Sequence, residues 1–76
     1  MASLRKLSGQ QVAKILCNRF RFSVSGRTGS HVRLSKMGPS GMVGCVVPMH
    51  PELKLPTLKS ILKQARVEVE EFVKHL

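Results

Sequence analysis

The stretch RFRFSVSGRTGSHVRL, Arg19 to Leu34, decides the fold. Phe20, Phe22 and Val24 alternate with Arg19, Arg21 and Ser23, which predicts a half-buried strand with one apolar face. Gly26 to Gly29 then turn the chain. From Ser30 to Leu34 the alternation resumes, with Val32 and Leu34 on one side and His31 and Arg33 on the other. Two such runs joined by a tight turn open an antiparallel meander. They also leave a histidine, flanked by arginines, at the start of the second strand.

The flanking residues complete an α+β layer. Upstream, Ser8 and Gln11 form a capping box, and Leu7 stands where a hydrophobic staple would meet Val12. Val12, Ile15 and Leu16 follow at helical spacing, so a helix is expected from Gly9 to about Asn18. Downstream, KMGPSG (Lys36 to Gly41) predicts a second turn, and Met42 to Pro48 a third strand that ends at a proline. Either Met42/Val46 or Val43/Cys45/Val47 could face inward in that strand. The second set is more uniformly apolar and is preferred. A connector, MHPELKLP, leads to a second helix over Thr57 to about Ala65, with Leu58, Ile61 and Leu62 as its buried stripe. Glu68, Glu70 and Glu71 open a short last helix, where carboxylates suit the positive dipole end. Val69, Phe72 and Val73 give that helix an apolar side, expected to pack on the core. The predicted order is α-β-β-β-α-α: one small domain over residues 1–76, with a three-stranded antiparallel sheet and helices on one face.

Charge narrows the partner. Thirteen Lys and Arg oppose four Asp and Glu, a formal net charge of +9. All four acids (Glu52, Glu68, Glu70, Glu71) lie after Pro51. Such a field favours a polyanion, and nucleic acid is the commonest one. An acidic protein is the alternative partner. Cys17 and Cys45 form no close pair, which argues for a reducing, cytoplasmic setting over a disulfide framework. Cys17, His31, Cys45 and His50 are too widely spread for a zinc site, so no metal or other cofactor is expected. No apolar run approaches the roughly 18 residues of a membrane span, and no membrane partner is expected. Phe20, Phe22 and Phe72 all fall on apolar stripes, leaving no platform for base stacking.

Taken together, the amphipathic first helix, GSH opening a strand, a strand ending in VP with a histidine two residues on, LKLPTLKSILKQA and VEEF resemble the HicA-type toxins of toxin–antitoxin pairs. The likeness runs from Ser8 to about Phe72. It implies a fold similar to the double-stranded-RNA-binding domain, cleavage of messenger RNA, and a HicB-type antitoxin that covers the active histidine. The histidine after Gly29 and Ser30 is His31, so the resemblance makes His31 the active residue. Two positions depart from the family pattern. Arg66 stands where a glycine usually follows the second helix, which predicts an end without the left-handed cap. KLPT replaces a sequence with glycine before the threonine.

RNA carries its own nucleophile, the 2′-hydroxyl, so a base, a phosphate clamp and a proton donor suffice. A neutral imidazole suits the first task. Arg27 and Arg33 are expected to disfavour the imidazolium of His31 and, with Gly29 and Ser30, to position the phosphate. Lys54, Lys59 and Lys63 are the expected phosphate-binding set, although Lys63 reads nearly as well as part of a solvated helix face. The acid step is open. His50 is a candidate by residue type, and His75 sits at a terminus. The expected activity is a metal-independent endoribonuclease, and the competing reading is a non-catalytic RNA-binding domain.

Overall fold

The computed structural model describes residues 6–76. In chain order the elements are α1 (Gly9–Arg19), β1 (Ser23–Thr28), β2 (His31–Gly38), β3 (Gly41–Pro48), α2 (Leu55–Gln64) and α3 (Val69–Val73). The strands form one antiparallel sheet in the order β1-β2-β3. Its inner face contributes Val32, Leu34, Val43, Cys45 and Val47 to a core shared with Val12 and Leu16 of α1, Leu58, Ile61 and Leu62 of α2, and Phe72 of α3. Helices therefore lie on one side of the sheet, as in the double-stranded-RNA-binding-domain-like fold. The inward set of β3 is the one its apolar residues predict.

The capping box starts α1. Ser8 Oγ accepts from the Gln11 N–H at 3.0 Å, and Gln11 Oε1 accepts from the Ser8 N–H at 2.9 Å. Two N–H groups left over at the helix start are thereby satisfied. The far end differs from the alternation pattern. Phe20 is the C-cap of α1, and Arg21 follows with φ 64° in the left-handed region. The strand therefore begins only at Ser23. Of the three residues expected on its apolar face, Phe22 is buried, Phe20 is half-buried and Val24 is 64% exposed. Val24 pairs with Leu34, but a bulge between Val24 and Gly26 shifts the register, and the helices leave this end of the edge strand uncovered.

Gly29 and Ser30 form the two-residue turn between Thr28 and His31. Positive φ at Gly29 (59°) and not at Ser30 is the pattern of a type II′ turn, whose twist matches that of the flanking strands. The second turn is tighter than the KMGPSG run suggests. Lys36 and Met37 remain in β2, and only Pro39 and Ser40 separate the paired Gly38 and Gly41. Lys36 closes the open end of the core, with its ammonium 3.2 Å from the Phe20 carbonyl and 4.8 Å from the Phe22 ring centroid.

Three main-chain hydrogen bonds pin the connector after β3. The Met49 N–H donates to the Ser30 carbonyl at 2.6 Å, and the Gly9 N–H donates to the His50 carbonyl at 3.0 Å. The Leu53 N–H donates to the Leu7 carbonyl at 2.8 Å. α2 begins at Leu55, two residues earlier than expected, because Pro56 is tolerated in a first turn whose N–H groups have no helical partner.

The end of α2 corrects the expectation drawn from Arg66. Arg66 itself takes the left-handed conformation, with φ 57°. The Val67 N–H donates to the Leu62 carbonyl at 2.9 Å and the Arg66 N–H to the Lys63 carbonyl at 3.1 Å, which together make a Schellman motif. Burial of both Val67 and Leu62 holds this arrangement despite the Cβ of Arg66. In α3 only Phe72 enters the core, stacked 6.4 Å from Phe20.

Candidate active site

His31 is placed by its neighbours. Val32 and Leu34 are buried, so strand alternation turns His31 and Arg33 to the opposite, outer face, where both are exposed. His31 is the first residue of β2 and sits between Thr28 on β1 and Pro48 on β3. The imidazole thus stands at one end of the sheet.

Next to it runs a groove of about 390 Å³ between β3 and α2. His31, Val46 and Pro48 form its sheet side, and Thr57, Ser60 and Gln64 give the helix side its polar groups. Gln64 Oε1 also accepts from the Val46 N–H at 3.2 Å, so a side chain of α2 covers part of the outer edge of β3. These three polar residues were not singled out in the sequence. Their spacing of i, i+3 and i+7 places them on one stripe beside the apolar one, a signal that could have found them.

His50 is brought in by the pinned connector. Its ring centroid is 6.5 Å from that of His31, and the ring planes are inclined at 71°. Both rings are exposed, and no hydrogen bond among the described residues engages either imidazole. Nineteen positions separate the two in the chain, so only the tertiary fold makes them neighbours.

The two arginines go to different places. Arg33 shares the outer face with His31, and its guanidinium lies over Gly26 of β1, where a Cβ would come within 2.5 Å of Nη2. Arg27 pairs with buried Val32 and so faces the other way. It lines a second depression with Ser8, Gln10, Met49, His50 and Pro51. The expected flanking of His31 by both guanidinium groups is therefore not what the fold builds: Arg33 belongs to the His31 face, and Arg27 keeps company with His50. Gly29 and Ser30 shape the turn, and the Ser30 carbonyl anchors the connector through Met49.

The lysines are also divided. Lys54 is the N-cap residue of α2, at the end where Pro56 and Thr57 border the groove. Lys59 and Lys63 line a different depression with Leu62, Arg66 and Val67. At about 100° per residue Lys59 lies about 130° and Lys63 about 90° round the helix from the middle of the groove stripe. His75 packs edge-on against Phe20 at 5.2 Å, away from His31. Among the described residues the only ion pair joins Lys74 to Glu71 at 3.1 Å, and no carboxylate lines the groove or the His50 depression. Burial pushes the Cys45 thiol up to about 11 and also raises Cys17, as expected for small apolar packers. No three His, Cys, Asp or Glu side chains among the described residues group as metal ligands. No helix among them is long and apolar enough to cross a membrane.

A family model described as the HicA toxin of bacterial toxin–antitoxin systems matches residues 9–67, from the start of α1 past the end of α2. The chain belongs to the HicA toxin family. No curated protein and no solved structure matches it. In this HicA chain the matched segment contains the whole sheet, the histidine pair and the groove.

Proposed function

We propose that this HicA-family toxin is a metal-independent endoribonuclease that cleaves messenger RNA, with His31 as the general base on the 2′-hydroxyl. The single observation that supports this most is the exposed imidazole of His31 at the mouth of the groove between β3 and α2, with no carboxylate in its walls. Neutral imidazole removes the 2′-hydroxyl proton, the oxygen attacks the adjacent phosphorus, and the 5′-oxygen leaves. Products are a 2′,3′-cyclic phosphate and a 5′-hydroxyl. Arg33 and Lys54 take up phosphate charge near the reacting group, Gly29 and Ser30 hold the turn that presents His31, and Arg27 binds the strand on the His50 side. Lys59 and Lys63 engage more distant phosphates across α2. A HicB-type antitoxin silences the toxin by covering His31.

The test is cleavage of messenger RNA in EDTA by wild type and by His31→Ala. A base supplies about 10²–10⁴ in rate, so the variant should lose cleavage and growth arrest while keeping its unfolding midpoint. Salt-sensitive RNA binding with no turnover in the wild type would replace this reading with an RNA-binding domain.

A further inference from the structure

We infer that His50 is the proton donor that completes the reaction, so that cleavage runs on a histidine couple. This inference rests on the ribonuclease reading above. The geometry carries it: two exposed rings with centroids 6.5 Å apart, each free of hydrogen bonds among the described residues. A nitrogen on each reaches an oxygen at about 2.8 Å, which leaves room for one phosphodiester phosphorus between them. In-line displacement needs a base beside the entering oxygen and an acid beside the departing one, two positions on opposite sides of that phosphorus.

The proton account closes without a co-reactant. His31 takes the 2′-hydroxyl proton as the bond from the 2′-oxygen to phosphorus forms. The bond from phosphorus to the 5′-oxygen breaks, and the imidazolium of His50 gives that oxygen its proton. His31 ends protonated and His50 neutral, and exchange with water resets both. Among the described residues no third histidine and no carboxylate lines the groove or the His50 depression. Around the rings stand Thr28, paired with His31, Thr57 and Ser60 from α2, and Arg27, Ser8 and Gln10 around His50, while the Arg33 guanidinium lies farther along the sheet, over Gly26.

The fold holds His50 by its main chain. Its carbonyl accepts from Gly9, and its neighbour Met49 donates to Ser30. Changing the exposed ring therefore leaves the connector in place, and the effect of a substitution reports chemistry.

The decisive experiment uses a short RNA with one site that the wild type cuts, made with either oxygen or sulfur at the 5′ bridging position. A thiolate departs without a proton, so the sulfur substrate has no use for an acid. His50→Ala should cut the oxygen RNA about 10²–10⁴-fold more slowly than wild type and the sulfur RNA within about 10-fold of it. His31→Ala should fail on both. With both imidazoles needed in opposite protonation states, wild-type kcat/KM on the oxygen RNA should be bell-shaped in pH, and the sulfur RNA should lose the alkaline limb. Wild-type rates on the oxygen RNA for His50→Ala would overturn the inference. So would equal losses on both substrates in a variant that keeps its unfolding midpoint, with His50→Gln as the second variant. In either case the failure of His31→Ala would leave the base assignment standing. Full activity of His31→Ala would remove the base assignment, and no cleavage by wild type would remove the ribonuclease reading; either result takes this inference with it.

Discussion

Gly9→Ala sets two physical rules against each other. Gly9 is the first residue of α1, and helix propensity alone favours alanine there by at most about 1 kcal/mol. Tertiary packing says the opposite. A Cβ at Gly9 would overlap the Pro48 carbonyl oxygen and stand 2.8 Å from its carbon and 3.0 Å from Met49 Cα. These are backbone atoms held by the pinned connector, so they cannot swing aside as a side chain would. Helix and connector must part by on the order of 1 Å in an interior packed to crystal density. Overpacking of this kind typically costs about 1–3 kcal/mol, and loosening the bond from the Gly9 N–H to the His50 carbonyl adds about 1 kcal/mol. After the propensity gain, the net loss is about 1–3 kcal/mol, or about 5–20 °C in a domain of this size. The assay is thermal unfolding followed by circular dichroism, with Gln10→Ala as a control in the same turn. That control touches nothing comparable and should stay within about 0.5 kcal/mol of wild type. Gly9→Ala should also slow RNA cleavage, because the displaced connector carries His50. A midpoint equal to or above that of wild type would show that the connector yields freely, and the account of how His50 is held would be wrong.

Three further outcomes follow from the packing. Arg66→Gly should raise stability by about 0.5–1 kcal/mol, since the left-handed strain of about 1–2 kcal/mol outweighs the added chain entropy of glycine, and chemical denaturation would read it. Phe72→Ala should cost about 3–5 kcal/mol and leave the protein largely unfolded at 37 °C by circular dichroism, because Phe72 is fully buried and ties α3 to the core. Because burial raises the Cys45 thiol to about 11 from 9.0, the folded state keeps a proton that the unfolded chain gives up. The resulting stability is fully present below pH 9 and is lost as pH rises toward 11. Wild type should therefore lose unfolding midpoint more steeply over that window than Cys45→Val does.

Local rules carried well where one residue satisfies another a few positions away. The capping box, the Val32/Leu34 alternation that turns His31 outward, the inward set of β3 and the Leu58/Ile61/Leu62 stripe were all legible, because each depends on spacing along one element. Strand β1 departs from its alternation pattern for the opposite reason. Phe20 and Phe22 alternate as a strand does, but the helix before them runs on, and a left-handed Arg21 spends both residues in a corner. Nor could a general preference for glycine foresee that Arg66 adopts the same cap, since burial of Val67 and Leu62 outweighs the strain.

By itself, the sequence determined the layer order, the excess of positive charge and the exposure of His31. Tertiary structure alone decided which groups stand beside that ring. It brought His50 across nineteen positions through three main-chain hydrogen bonds, sent Arg27 to the other face through its pairing with Val32, and set Thr57, Ser60 and Gln64 along the groove. Spacing along a strand or helix fixes the direction of a side chain, but the neighbours it meets depend on how separate elements are pinned together. The proposed chemistry depends on those neighbours.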